Sequence, residues 1–274
     1  MGTRLIALDL DGTLLNEKMH VSEKTRQVME LCAQRGIEIV PATGRALPAV
    51  PEEGLSLPGV PYGIFTNGAV VRDFGKNTWV SESCLSWEET IRVIEVLRRH
   101  PVIYDMYVSE GGVSETRLLA QLEEYGIPER ECAYIRATRR AVTDMVEYLR
   151  EKKCPVQKMN LNFKDRESKQ AVRAKLEAMP EVLVTSSLPW NLELNAAGIT
   201  KGSGLRNLCQ YLGIEAEETM AFGDGENDWP MLEAAGIGVA MENGAPFLKE
   251  RADRIAASNR EEGVAEAIRQ WVLI

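Results

Sequence analysis

Four short apolar runs in this chain each stop abruptly at a polar loop, and that punctuation constrains the fold more than any other feature. Leu5-Ile6-Ala7-Leu8 ends at Asp9, and Ile37 to Val40 ends at Pro41-Ala42-Thr43-Gly44-Arg45. Tyr62 to Thr66 ends at Asn67-Gly68, and Thr219 to Phe222 ends at Gly223-Asp224-Gly225. A continuous apolar run bounded by polar residues fits a strand buried on both faces, as in a parallel sheet. Between the first two runs lies a helical stretch with Ser22 as N-cap, Val28, Met29 and Leu31 as its apolar stripe, and Gly36 at its end. Asp228 to Ala235 reads as a second helix and Ile237 to Met241 as a further strand. Strand, helix and strand in alternation, each strand ending in a polar loop, predict a doubly wound α/β sheet. Ligands then belong at the carboxyl ends of the strands.

The pattern breaks off between residues 84 and 188 and then resumes. The intervening stretch carries amphipathic helices (Trp87 to Arg98, Ala141 to Glu151, Ser168 to Ala178) and alternating strands (Val102 to Val108, Val156 to Phe163, Val182 to Ser186). The expectation is a core built from residues 1–83 and 189–274, with residues 84–188 inserted as a separate α+β domain. Trp190 to Leu194 is expected to be the strand on which the chain re-enters the core.

Charge and composition remove several function classes. A chain of 274 residues with net charge −9 lacks the basic footprint that nucleic-acid binding requires. Short basic clusters such as Arg98-Arg99 and Arg139-Arg140 read as solvated helix faces. The five cysteines form no CxxC pair, which suits free thiols in a reducing compartment. No apolar run reaches the ~18 residues of a membrane span. The acidic pair at Asp9 and Asp11 interrupts the apolar start, so no signal peptide is expected. Together these features predict a cytoplasmic protein.

The chemistry concentrates at the strand ends. Asp9 and Asp11 are two apart on an extended chain, so their side chains share a face. Paired carboxylates there repel each other and resist desolvation, and a divalent cation relieves both costs. An Asp-Gly turn would also account for the pair. Thr43-Gly44 offers a hydroxyl and an unencumbered backbone N–H suited to phosphate oxygens, or simply a glycine turn. Lys201 lies in a glycine-flanked loop before a helix expected from Gly204 to Leu212, where it can clamp a phosphate or remain a solvated loop lysine. Gly223-Asp224-Gly225-Glu226-Asn227-Asp228 gathers hard oxygen donors suited to magnesium, or forms a polar turn in which Asp228 caps the next helix.

Competing motifs fail. Counting an EF-hand loop from Asp224 puts Trp229 and Ala235 where glycine and glutamate belong. There is no GxxxxGK[ST] loop, and Gly202-Ser203-Gly204 completes neither a GxSxG elbow nor a dinucleotide loop. His20 and His100, the only histidines, cannot form an HExxH zinc site. Acid–base work falls to carboxylates.

The elements DxDGT, TGR, K and GDGEND, taken in that order, resemble the haloacid dehalogenase superfamily, and within it the Cof-type (subclass IIB) phosphatases. The matching segments are Asp9 to Leu15, Ala42 to Arg45, Thr66 to Ala69, Gly198 to Gly202 and Phe222 to Asp228, with Ser258-Asn259 and Glu262 to Ala265 near the end. Asn195-Ala196-Ala197 departs from relatives that carry a proline shortly before the lysine loop.

The resemblance implies a magnesium-dependent phosphatase acting on a small phosphorylated metabolite, with a sugar phosphate favoured. It makes Asp9 the nucleophile that forms an aspartyl phosphate, and Asp11 the acid and then the base. Mg2+ is expected on the Asp9 carboxylate, the Asp11 backbone carbonyl and Asp224, with Asp228 orienting its waters. Thr43, Gly44, Lys201 and Asn227 are expected to grip the phosphoryl oxygens. Arg45 and Asn67 are expected to touch the substrate, and the insert to read its leaving group. A phosphomutase with the same core and a non-catalytic binding protein of the same fold are the alternatives.

Overall fold

The apolar runs do assemble into a parallel sheet. In a computed structural model that describes residues 2–273, the strand order is Arg254–Ala256, Ile237–Met241, Thr219–Gly223, Leu5–Leu8, Glu38–Pro41. Every neighbouring pair is parallel. Leu8 stands level with Phe222 on one side and Pro41 on the other, so three strands end at the same height.

Alternate side chains of these strands enter opposite layers, which is why the runs are almost wholly apolar, with the half-buried Glu38 a charged exception at the start of its strand. Ile6, Leu8, Ile39, Met220 and Phe222 pack with Val28 and Met29 of helix Glu23–Gln34 and with Val264 and Ile268 of helix Gly263–Trp271. Leu5, Ala7, Val40, Ala221 and Ala240 pack instead with Leu205 and Leu208 of helix Lys201–Leu212 and with Met231 and Leu232 of helix Trp229–Ala234. Each large apolar side chain removed from water contributes roughly 1.5–3 kcal/mol. Ser22 caps the first helix as expected, accepting from the Thr25 N–H at 3.1 Å.

The Tyr62–Phe65 run departs from the simple pattern. It meets the sheet edge through a parallel bridge between Ala42 and Ile64. It then leads an antiparallel meander with Val70–Asp73 and Thr78–Glu82.

Lys201 is helical rather than in the expected loop. Thr200 caps the helix in a reciprocal box with Ser203, so the helix begins at Lys201 and not at Gly204. The glycines serve close packing. A Cβ on Gly202 would lie 2.0 Å from the Pro230 carbonyl oxygen, and one on Gly204 would lie 2.7 Å from Ile64.

Two compact units result: residues up to Glu82 together with those from Ile199 onward, and a second unit of Ser83–Gly198. The second unit has its own sheet, in the order Val182–Thr185, Asn191–Ala196, Lys158–Asn162, Ile103–Val108, Gly111–Glu115, Arg139–Val142. All its pairs are antiparallel except the last. One face carries Tyr104, Met106, Met159, Leu161, Leu192 and Leu194, packed with helices Trp87–Leu97, Met145–Lys152 and Arg166–Glu177. The alternate positions carry Asp105, Lys158, Glu193 and Asn195.

Two expectations need correction. Residues 189–198 belong to the second unit, because Asn191–Ala196 pairs with Val182–Thr185 and Lys158–Asn162. Its leucines at 192 and 194 alternate with polar residues, the signature of a strand apolar on one face only. The helix expected from Ala141 begins later. Arg139–Val142 is a strand, and Asp144 starts the helix by accepting from the Val146 and Glu147 N–H groups. Among the described residues, no helix is long and apolar enough to cross a membrane.

Candidate active site

The strand ends converge on one buried charge cluster within the first unit. Asp9 follows Leu8, and its N–H is tied to the Phe222 carbonyl at 3.0 Å. Lys201, only 1% exposed, donates to Asp9 Oδ1 and to Asp228 Oδ1, each at 2.6 Å. The other oxygen of Asp228 accepts the Asp224 and Gly225 N–H groups at 2.9 and 2.8 Å. Asp224 Oδ1 accepts the Thr13 hydroxyl at 3.1 Å. Gly12 sits at φ +86°, and a Cβ there would fall 2.4 Å from Asp224 Oδ2. The two acid-bearing loops therefore touch at a position only glycine can fill.

The electrostatics follow from the burial. Desolvation pushes the Asp9 carboxyl well above the usual carboxylate range, and Asp228 adds to the push while Lys201 opposes it. Burial, and then Asp228, push Asp224 up to about 6. Burial alone would lower the Lys201 ammonium, but Asp228 and Asp9 outweigh it and raise the group above its ordinary value. Three carboxylates face one ammonium, so the cluster carries excess negative charge. Oxygens of Asp9, Asp224 and Asp228 lie within 4.8 Å of one another. Asp9 Oδ2 is buried with no hydrogen-bond partner. An unpaired buried carboxylate oxygen among all-oxygen donors fits a hard divalent cation.

The other expected residues fall around this centre. The Thr43 hydroxyl accepts the Arg45 N–H at 3.1 Å. Asn227 donates to Asn67 Oδ1 at 3.1 Å, and Asn67 holds a left-handed backbone at φ 57°. Gly44 lies in the same loop as Thr43, beyond the strand that ends at Pro41. Asp11 stands apart. Its exposed side chain forms a two-pronged ion pair with Arg45, Nε to Oδ2 at 2.7 Å and Nη2 to Oδ1 at 2.8 Å. The carboxylates that gather are thus Asp9, Asp224 and Asp228, with the Asp11 side chain outside them.

Sequence reasoning missed three features here. Thr13 is one residue of the DxDGT segment, and only the fold brings its hydroxyl to Asp224. Nothing local in the sequence announces that Arg45 pairs with Asp11. Asn243, which donates to the Gly12 carbonyl at 2.8 Å, went unread. The available signal was its place two residues beyond a strand ending at Met241, like the other strand-end residues.

A nucleophile-capable carboxylate, a buried lysine and a cation-ready acid cluster define a phosphoryl-transfer hydrolase. The family model for haloacid dehalogenase-like hydrolases matches residues 6–268, and the chain belongs to that family. Within it, the chain is of the Cof-type, subclass IIB kind and is a phosphoric monoester hydrolase. It is 30% identical to the 5-amino-6-(5-phospho-D-ribitylamino)uracil phosphatase YcsE of Bacillus subtilis, over 98% of this chain and 96% of that one. It is 28% identical to the pyridoxal phosphate phosphatase YbhA of Escherichia coli, over 98% of each. Among solved structures, the subclass IIB sugar phosphatase BT4131 superposes with a TM-score of 0.82 at 25% identity, over 99% of this chain and 100% of that one.

Proposed function

We propose that this phosphatase is magnesium-dependent, acts on a small phosphorylated metabolite, and works through an aspartyl phosphate on Asp9. The observation that carries the reading is the Asp9 carboxylate, with one oxygen on Lys201 and the other buried and unpaired. A sugar or sugar-alcohol phosphate is the preferred substrate. The sugar phosphatase BT4131 and the phospho-ribityl phosphatase YcsE favour that class.

Asp9, Asp224 and the Asp11 main-chain carbonyl would hold Mg2+, with Asp228 beside them. When bound, the ion supplies positive charge that offsets the carboxylates and the phosphoryl oxygens. An Asp9 oxygen attacks phosphorus and the bond to the alcohol oxygen breaks. Asp11 gives its proton to that oxygen. Water then attacks the acyl phosphate while Asp11 takes its proton, releasing inorganic phosphate and restoring Asp9. Lys201, Thr43, the Gly44 N–H and Asn227 hold the phosphoryl oxygens, where charge develops in transfer. Arg45 and Asn67 contact the substrate.

The test is phosphate release from a panel of sugar, sugar-alcohol, nucleotide and vitamin phosphates, with Mg2+ and with excess EDTA. Turnover that requires Mg2+ and favours the sugar class is expected. Full turnover in chelator would overturn the metal assignment. Transfer to a second hydroxyl without phosphate release would make the enzyme a mutase.

A further inference from the structure

We propose that Asn243 is a positioning residue for this reaction, clasping the loop that carries Asp9 and Asp11 at a fixed distance from the loop that carries Asp224. The inference rests on the metal-dependent reading above.

The loop from Asp9 to Leu15 leaves the sheet, so its carbonyls lose their ladder partners. Asn243 supplies one replacement, donating from Nδ2 to the Gly12 carbonyl at 2.8 Å. Its own Oδ1 accepts the Asn259 N–H at 3.0 Å, which fixes which way the amide faces. Asn259 in turn donates from Nδ2 to the Leu15 carbonyl at 2.8 Å. The two asparagines therefore hold both ends of the segment that follows Asp11.

The same loop also grips the other acid. Ala245 N–H donates to the Asp224 carbonyl at 2.8 Å. Gly244 lies so close that a Cβ would stand 3.0 Å from Asp224 Cα and 2.9 Å from the Met241 carbonyl oxygen. Residues 243–245 thus contact the Gly12 and Asp224 backbones together. Between those two there is no slack, because Gly12 and the Asp224 carboxylate are already in contact. A shift of Gly12 moves the Asp11 carbonyl bonded to it relative to the Asp224 carboxylate it abuts, and misplacement by about 1 Å can reduce turnover ~10²-fold.

Asn243 is exposed. Its bonds compete with water, so they contribute little to global stability. A purely structural role and a positioning role therefore separate experimentally.

The experiment compares wild type, Asn243→Ala and Asn243→Leu, the last keeping side-chain volume without a donor. Lys249→Ala serves as control, since it removes a bond to the Glu242 carbonyl on the same loop without touching Gly12. The readouts are kcat and KM on p-nitrophenyl phosphate, Mg2+ affinity of the EDTA-stripped protein by calorimetry, and Tm. Both Asn243 variants are expected to lose ~10- to 100-fold in kcat with KM nearly unchanged, and to bind Mg2+ at least several-fold more weakly, at wild-type Tm. Lys249→Ala is expected to match wild type. The proposal is overturned if both Asn243 variants stay within about twofold of wild type in kcat and Mg2+ affinity. It is equally overturned if their losses track a fall in Tm or appear in Lys249→Ala. If wild type itself neither binds Mg2+ nor needs it for turnover, the metal-dependent reading falls and takes this inference with it.

Discussion

Lys201 Nζ lies 2.6 Å from Asp9 Oδ1, while Oδ2 of the same carboxylate is buried without a partner. The lysine fixes one oxygen and leaves the other to do chemistry. Replacing Asp9 by Asn keeps the shape but removes the proposed nucleophile. Asp9→Asn should lose at least ~10³-fold in kcat, by comparison with nucleophiles removed from other enzymes. Steady-state rates on the purified, Mg2+-loaded variant check this, with circular dichroism confirming the fold. Wild-type-like turnover would end the nucleophile assignment.

Asp11 and Arg45 make a different kind of pair. Both Asp11 oxygens sit on the guanidinium, so the carboxylate meets the reacting atoms only after exchanging that partner. In the proposed role of acid and then base, Asp11 should matter most when the leaving alcohol is a poor leaving group. Asp11→Asn should therefore lose ~10²–10⁴-fold on an alkyl phosphate and distinctly less on p-nitrophenyl phosphate. Equal losses on the two substrates, with chemistry rate-limiting, contradict the role.

The acid cluster should leave a mark on stability. Asp224 is pushed up to about 6 by burial and by Asp228, whereas in the unfolded chain it titrates near ~3.9. Between those values the folded protein binds more protons, so metal-free stability falls as pH rises through that window and levels off above it. Asp9, raised by burial and Asp228, acts in the same direction. Acids held low by partners, such as Glu123 at about 2 on Arg136, lose their contribution only at lower pH. In EDTA, Tm should therefore be higher at pH ~5 than at pH ~7.5. Asp224→Asn should stabilise the metal-free protein at pH ~7.5, and so raise its Tm, by relieving up to about 3 kcal/mol of desolvation and repulsion. Mg2+ should raise the wild-type Tm there by mass action. Calorimetric scans at both pH values decide it; a metal-free Tm that climbs from pH ~5 to ~7.5 would contradict the electrostatic reading.

How much of this was legible depended on distance along the chain. Leu5 to Leu8 and Met220 to Phe222 are legible because a strand buried on both faces is predominantly apolar. Asp9 and Asp224 were readable as the residues that ended those runs. Lys201 looked like a loop lysine, since nothing local shows that it will be buried against Asp9 and Asp228, which lie 192 and 27 residues away in the chain. Its helix start was legible in Thr200 and Ser203, but the glycines at 202 and 204 suggested a loop. Only the approach of Pro230 and Ile64 explains them. Asn191–Ala196 is hard to assign to a unit by its apolar content, and only its alternation of leucines with polar residues marks it as a strand of the antiparallel sheet. The Arg45 partner of Asp11 is hidden by a separation of 34 positions in the chain.

Gly12 offers the most direct probe of the contact between the two acid loops. Its φ of +86° strains any other residue, and its missing Cβ leaves room for Asp224 Oδ2, which would otherwise be 2.4 Å away. Gly12→Ala must therefore both strain the backbone and displace the Asp224 carboxylate. Strain of this kind costs about 1–3 kcal/mol, so Tm should fall by a few degrees. Displacing Asp224 should weaken Mg2+ far more than strain alone predicts, raising the concentration for half-maximal activity by at least ~10-fold. High Mg2+ should then recover part of the lost rate, because the nucleophile at Asp9 is untouched. A matching substitution at Gly36, also at positive φ (+70°) but with open space around its Cβ position, controls for strain. Gly36→Ala should lower Tm by a comparable amount and leave the Mg2+ requirement alone. If Gly12→Ala lowered Tm without moving the Mg2+ requirement, or if Gly36→Ala moved it equally, Asp224 would not be the residue that Gly12 makes room for in metal binding.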